Sequence, residues 1–330
     1  MSEVDRELNS ELPRIVVIGG GTGLSVMLRG LKEKPIDITA IVTVADDGGS
    51  SGILRSELQM PPPGDIRNVI SALAEAEPML SRMLQHRFST GAGLAGHSLG
   101  NLILAAMKEI TGDFVTGIKQ LSRVLAVRGR VLPAANQSIV LKACMKDGRL
   151  IEGESQIPKA GGAIHRVFIE PSDVSPLDEA LDALREADAI LIGPGSLYTS
   201  IMPNLLVPGL SEMIEKSQAV KIFVCNVMTQ PGETDGFTVS DHLQAIEDHV
   251  GCLHLDYVIV NDGPIPPEVE NKYAEKGAKA VKLDLERVLE KGCAVIADKL
   301  VLHRTYLRHD ANRLSEQIYK LVAGREEEKR

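Results

Sequence analysis

The sequence predicts a doubly wound α/β protein, with a mostly parallel Rossmann-like sheet in a three-layer sandwich and a small antiparallel excursion. Three observations predict it. Short apolar runs rich in β-branched residues, at 15–18, 36–45, 188–192, 220–227 and 256–260, alternate with stretches of helical 3.6 periodicity. The best of these runs are continuously apolar, as expected of parallel strands covered on both faces. Each ends in glycines, carboxylates or amides, which places polar tips on the sheet edge where open α/β proteins bind ligands.

The first strand and the turn after it set the pattern. In RIVVIGGGTG (14–23) four apolar residues run into Gly19, Gly20, Gly21, Thr22 and Gly23, and a helix with Leu24, Met27, Leu28 and Leu31 on one face begins there. A strand ending in a glycine turn before a helix points backbone N–H groups and the positive helix end at an anion, usually a phosphate. Gly19 and Gly21 match the start of GxGxxG, but Leu24 occupies its last glycine position and no GK[ST] follows. The competing reading is a turn that only packs tightly.

The second strand (36–45) stops at Asp46-Asp47-Gly48-Gly49-Ser50-Ser51-Gly52. An acid at this place binds ribose hydroxyls in dinucleotide folds, and a paired acid holds Mg²⁺ against phosphates. A solvated Asp-Gly turn is the alternative, and the length of the loop favours binding. After Pro61-Pro62-Pro63-Gly64, Asp65 suits the cap of a helix carrying Ile66, Val69, Ile70 and Leu73, and Arg67 and Asn68 lie at its polar start. STGAGLAGHSLG (89–100) is a second glycine-rich entry to a helix, with His97 and Asn101 as polar candidates.

Between residues 124 and 169 the pattern shortens to VRGRVLP, QSIVLKACM, LIEGESQI and AIHRVFI, separated by turns at Asp147-Gly148 and Gly161-Gly162. This is the expected antiparallel excursion, suited to a lid or a dimer surface, with Arg128, Arg130, Lys159, His165 and Arg166 as basic candidates. Alternation then resumes. The strand at 188–192 ends in Gly193-Pro194-Gly195-Ser196-Leu197-Tyr198-Thr199-Ser200, a third glycine turn backed by hydroxyls. Asn226 lies near the end of the strand at 220–227, and Asn261 follows the one at 256–260. Short strands near Ala280 and Ala294 precede Arg308-His309-Asp310, where Asp310 suits a helix cap and the fork of Arg308 suits a diphosphate or carboxylate. The last helix carries Leu314, Ile318, Leu321 and Val322.

Composition bounds the function. The 330 residues are 44% hydrophobic and 25% charged, as in a globular protein, so 14–322 reads as one nucleotide-binding domain between a tail at 1–13 and a charged tail at 323–330 that frays. Aromatics make up only 3%, without Trp, and the net charge is −9, which excludes a nucleic-acid partner. The N-terminus is acidic rather than signal-like, and no apolar run approaches the ~18 residues of a membrane span, so the expected location is the cytoplasm. Cys144, Cys225, Cys252 and Cys293 lie far apart and read as buried thiols, not a zinc site or disulfides. A homo-oligomer is expected.

The segments IVVIGGGTG, TVADDGGSSG, PPGDIRN, GHSLGNL, IGPGSLYTSIMPNLLV and NVMTQPGETDGF together resemble the YvcK-like proteins, or gluconeogenesis factors, of the superfamily of CofD, the 2-phospho-L-lactate transferase. The resemblance runs from about residue 14 to 321. It implies a bacterial cytoplasmic protein that binds a nucleotide sugar such as UDP-glucose or UDP-N-acetylglucosamine, regulates carbon metabolism and cell-wall or cell-shape control, and acts with a regulatory protein partner. It carries nucleotide and phosphate contacts onto Gly20–Gly23 and onto 193–199, and metal and substrate binding onto Asp46, with Asp46 and Asp47 as catalytic residues only if the chain is a transferase. The residues themselves leave UDP-sugar, GDP and NAD(P) open. The full set of candidate ligand contacts is Gly20, Gly21, Thr22, Gly23, Asp46, Asp65, Asn68, His97, Asn101, Gly193, Gly195, Ser196, Tyr198, Thr199, Asn226 and Arg308.

Overall fold

Every residue of β1 (Arg14–Gly19) except Arg14 is buried, and its side chains alternate between two cores, so this strand is the middle of the molecule. The structure is a computed structural model that describes residues 12–75, 78–303 and 307–329. The remaining strands are β2 (Asp37–Val42), β3 (Arg130–Pro133), β4 (Val140–Met145), β5 (Leu150–Glu152), β6 (Ile164–Glu170), β7 (Ala189–Ile192), β8 (Val220–Val224), β9 (Tyr257–Asn261), β10 (Ala294–Asp298), β11 (Val301–His303) and β12 (Leu307–His309). Seven of them form one sheet in the order β10-β9-β8-β7-β1-β2-β3, parallel throughout.

The helices are α1 (Gly21–Leu31), α2 (Gly49–Leu58), α3 (Gly64–Leu73), α4 (Pro78–Gln85), α5 (Leu99–Thr111), α6 (Phe114–Val124), α7 (Asp178–Glu186), α8 (Met202–Leu205), α9 (Leu210–Lys216), α10 (Val239–Val250), α11 (Pro267–Ala274), α12 (Leu285–Glu290) and α13 (Ala311–Lys329). Ile15 and Val17 pack with Leu24, Met27 and Leu28 of α1, Ile66 and Ile70 of α3, and Leu314 and Ile318 of α13. Val16 and Ile18 pack on the opposite face with α7 to α10 and with the inner face of β4 and β6. A strand at most 2% exposed from Ile15 to Ile18 needs both covers, and this is the physical reason for the three layers.

Several elements differ from the expectation. VRGRVLP does not join the excursion: β3 pairs in parallel with β2 as the edge of the main sheet, and the excursion is the antiparallel sheet β5-β4-β6. The strand expected at 36–45 ends at Val42, and the last rung of its pairing with β1 is the Thr43 N–H donated to the Gly19 carbonyl at 3.1 Å. Near Ala280 there is only an isolated bridge to Met228. The expected fraying of 323–330 is not found up to Lys329, where α13 ends. Asp310 caps α13 as expected, accepting the N–H groups of Asn312 at 3.0 Å and Arg313 at 3.1 Å. Only two cysteines, Cys225 and Cys293, are buried, whereas Cys144 is half-buried and Cys252 exposed. Among the described residues no helix is long and apolar enough to cross a membrane. The N-terminal tail, apart from Leu12 and Pro13, lies outside the described residues.

Candidate functional site

β2 and β3 lie on one side of β1, and β7 to β10 on the other, so the chain changes winding direction beside β1 and β7. At such a switch point the connections leave in opposite directions and open a crevice beyond the carboxyl ends of the strands. Gly193 N–H donates to the Ile18 carbonyl at 2.9 Å, which aligns the glycine turns after β7 and β1 at one level. A cavity of about 470 Å³ opens there, walled by Gly20, Gly21, Thr22 and Gly23, by Gly195, Ser196 and Ser200, by Asn226 and Gln230, and by Tyr273, Lys276, Arg308 and His309.

The first wall is the start of α1. Gly20 precedes it, and Gly21, Thr22 and Gly23 of its first turn line the cavity, where a helix start of this kind suits an anion. A Cβ on Gly20 would stand 2.4 Å from an Asp65 carboxylate oxygen and 2.7 Å from the Thr43 methyl, so only glycine fits. Asp65 does not cap its own helix: Pro63 stands at the α3 N-cap without a side-chain bond, and the Asp65 carboxylate accepts the Gly21 N–H. Its role is to hold the glycine turn in place.

The second wall is the turn after β7. Asn226 holds it like a paired strand, donating from Nδ2 to the Gly195 carbonyl at 2.7 Å and accepting the Gly195 N–H at 3.2 Å. Gln230 Nε2 donates to Ser196 Oγ at 2.5 Å. Beyond it Leu197–Ile201 form a single π-helical turn that directs Tyr198 and Thr199 inward. Both are buried, Tyr198 edge-on to Phe237 and Thr199 bonded to Glu233, so their side chains belong to the core rather than to the cavity. Burial pushes the Tyr198 phenol up to about 12.

Asn68, His97 and Asn101 also stand away from the cavity, because they serve a buried guanidinium. Arg67 Nη1 donates to Ser98 Oγ at 2.6 Å and to Asn101 Oδ1 at 2.8 Å, while Nη2 donates to Asn68 Oδ1 at 2.8 Å. Ser50 Oγ joins this group through His97 Nδ1 and Asn101 Nδ2, each 3.1 Å away. A buried charge needs such partners, and this accounts for the polar residues of PGDIRN and GHSLGN.

The third wall carries positive charge. Arg308 is exposed and makes no ion pair among the described residues, and Lys276 lies beside it in the cavity. His309 adds none: burial pushes it down to about 4, so its ring is neutral at pH 7. Tyr273, Lys276 and Gln230 were not among the sequence candidates. Gln230 lies in a motif that marked the region, but Tyr273 of α11 and Lys276 after it stand well beyond the polar tip of β9.

On the far side of the first glycine turn the charge reverses. Asp46, Asp47, Asp65, Glu154 and Glu233 influence one another there. Burial and then the neighbouring Asp46 charge push Asp65 up to about 6, although Gly21 N–H, Arg67 and Asn68 pull the other way. Burial and four surrounding carboxylates push Glu154 up to about 8. Burial pushes Glu233 up to about 7 against the hydrogen bonds from Thr199 and Tyr198, and its Oε2 is enclosed without a partner. Sequence reading missed Glu154 and Glu233, which come from loops remote from the Asp46 segment. Among the described residues no group of three or more His, Cys, Asp or Glu is arranged to hold a metal ion, so an ion at Asp46 would need ligand phosphates to complete its shell.

Comparison with known proteins matches this architecture. A family model described as 2-phospho-L-lactate transferase CofD matches residues 15–301. The chain is 55% identical over 311 residues to the gluconeogenesis factor of Bacillus subtilis, covering 94% of this chain and 98% of that protein. It is 59% identical over 305 residues to the gluconeogenesis factor of Halalkalibacterium halodurans, covering 92% and 95%. A crystal structure from Bacillus halodurans, described as a member of the UPF0052 family, superposes with a TM-score of 0.91 at 58% identity and covers 93% of this chain and 99% of that one.

Proposed function

The chain belongs to the CofD family, and on that footing we propose that it binds a nucleotide sugar of the UDP-glucose or UDP-N-acetylglucosamine type and acts as a regulator of carbon metabolism and of cell-wall and cell-shape control. One observation carries the reading: the glycine start of α1 and Arg308, which makes no ion pair among the described residues, border the same cavity. Backbone N–H groups and a guanidinium there suit a diphosphate. The matched relatives named gluconeogenesis factors support the carbon-metabolism part. Leu24 is fully buried where a dinucleotide fingerprint has glycine, which weighs against NAD(P). Calorimetry with UDP-N-acetylglucosamine, UDP-glucose, GDP and NAD tests this reading. Heat with a UDP-sugar is the expected result, and silence with both overturns it.

The carboxylate wall favours one second reading, a transferase. Asp46 would there hold Mg²⁺ completed by the ligand's phosphates, and the ion would supply charge stabilisation for a leaving diphosphate. Asp46→Asn abolishes turnover and metal binding on this reading. Full retention of both would remove it.

A further inference from the structure

We propose that the chain has a second small-molecule site, distinct from the nucleotide cavity, which takes an uncharged polyhydroxyl compound of monosaccharide size. A cavity of about 650 Å³ lies between α2, the loop after β3 and the β4–β5 hairpin, with Asp47, Arg55, Gln59, Asn136, Gln137 and Glu152 in its walls. Its size is within the range of about 300–1,000 Å³ typical of ligand sites. It shares no lining residue with the nucleotide cavity.

The wall is fixed by its own hydrogen bonds, and these leave defined groups free. Asp47 Oδ1 accepts the Ser155 N–H at 2.8 Å. Asn136 donates from Nδ2 to Asp113 at 2.8 Å, and Gln59 from Nε2 to the Ser56 carbonyl at 2.8 Å, so each keeps its amide oxygen as an acceptor. Arg55 uses only Nη1, in a long 3.5 Å contact with the Ala45 carbonyl. Gln137 makes no side-chain hydrogen bond among the described residues. The free groups are therefore donors from Arg55 and Gln137 beside acceptors from Gln59, Asn136 and Asp47.

That mixture selects the ligand. A hydroxyl donates and accepts at once, so a polyol satisfies both kinds of group. An anion would meet Asp47 and Glu152, and a cation would meet Arg55, with Lys142 already paired to Glu152 at 3.1 Å. No aromatic side chain lines the wall, so it offers no stacking face to a nucleobase.

Saturation-transfer NMR on the full chain, without nucleotide, tests the site with glucose, N-acetylglucosamine and myo-inositol beside glucose 6-phosphate and glucosamine. Transfer to at least one neutral compound is expected, with affinity weakened about tenfold or more by Gln137→Leu and by Arg55→Met. Gln137 is exposed, so its variant keeps the test valid if Arg55→Met fails to fold. Three results overturn the proposal: no transfer to any neutral compound, equal transfer in both folded variants, or binding of the charged compounds alone. Because no nucleotide is present, these outcomes are independent of whether a UDP-sugar binds.

Discussion

The turn after β7 lines the cavity, the carboxylate group lies on the far side of the first glycine turn, and opposite physics holds them. Asn226 and Gln230 satisfy the turn at 2.5–3.2 Å, so its backbone is held with little reorganisation left to make. The wall of Asp46, Asp65, Glu154 and Glu233 is frustrated, because burial holds three of its carboxyls above the ordinary range and repulsion from neighbouring carboxylates adds to it at Asp65 and Glu154. A preorganised surface suits the constant part of a ligand, such as a diphosphate. A frustrated one suits a group that brings protons, hydroxyls or a cation. The two meet at Gly20 and Gly21, where Asp65 is at once a member of the acid wall and the brace of the glycine turn.

The harshest way to break this division is at that junction. Gly20→Ala places a methyl against Asp65 and Thr43, and overpacking of this kind costs about 1–3 kcal/mol. The expected outcome is a lower melting temperature and nucleotide affinity reduced about 100-fold or more in calorimetry. An alanine variant that binds as tightly as the parent would separate the turn from the ligand.

Arg308→Ala is the next step down, and it isolates charge from packing. A charge-assisted hydrogen bond contributes about 1.5–3 kcal/mol, so affinity should fall about 10–100-fold. Since Arg308 is exposed and unpaired among the described residues, the melting curve should not move. Asn226→Ala removes the two bonds that hold the Gly195 turn and is expected to weaken binding by about tenfold or less. A larger effect from Asn226→Ala than from Arg308→Ala would mean that preorganisation outweighs the phosphate charge.

The same contrast explains how much of each wall was legible in the sequence. A strand that ends in glycine before a helix is written in consecutive residues, so the β1 and β7 turns, the parallel sheet and Arg308 were readable. The hydrogen bonds of Asp65 and Asn101 were not, because a polar residue at a helix start looks alike whether it caps the helix, braces a turn or solvates Arg67. Tyr198 and Thr199 lay in a readable motif, yet the π-helical turn rotates them into the core. Glu154 and Glu233 could not be found by spacing at all. They come from the loop after β5 and the loop after β8, and only the tertiary fold brings them to Asp46.

The gentlest test addresses the frustrated wall through pH. Glu154 ionises near 4.5 in an unfolded chain but near 8 in the fold, so between those values the folded state binds more protons. Its stabilising contribution is complete below about 4.5 and is lost as pH rises through about 8, and Asp65 and Glu233 add the same sign of slope over narrower windows. Glu154→Gln removes the ionisation while keeping the shape. The variant should therefore lose part of the decline in melting temperature between pH 5 and pH 9, and exceed the parent at the alkaline end by about 2 °C or more, on a scale of ~2–4 °C per kcal/mol. Coincident curves for parent and variant would show that the carboxylate group is relaxed, and that it differs from the turn after β7 in charge but not in stored repulsion.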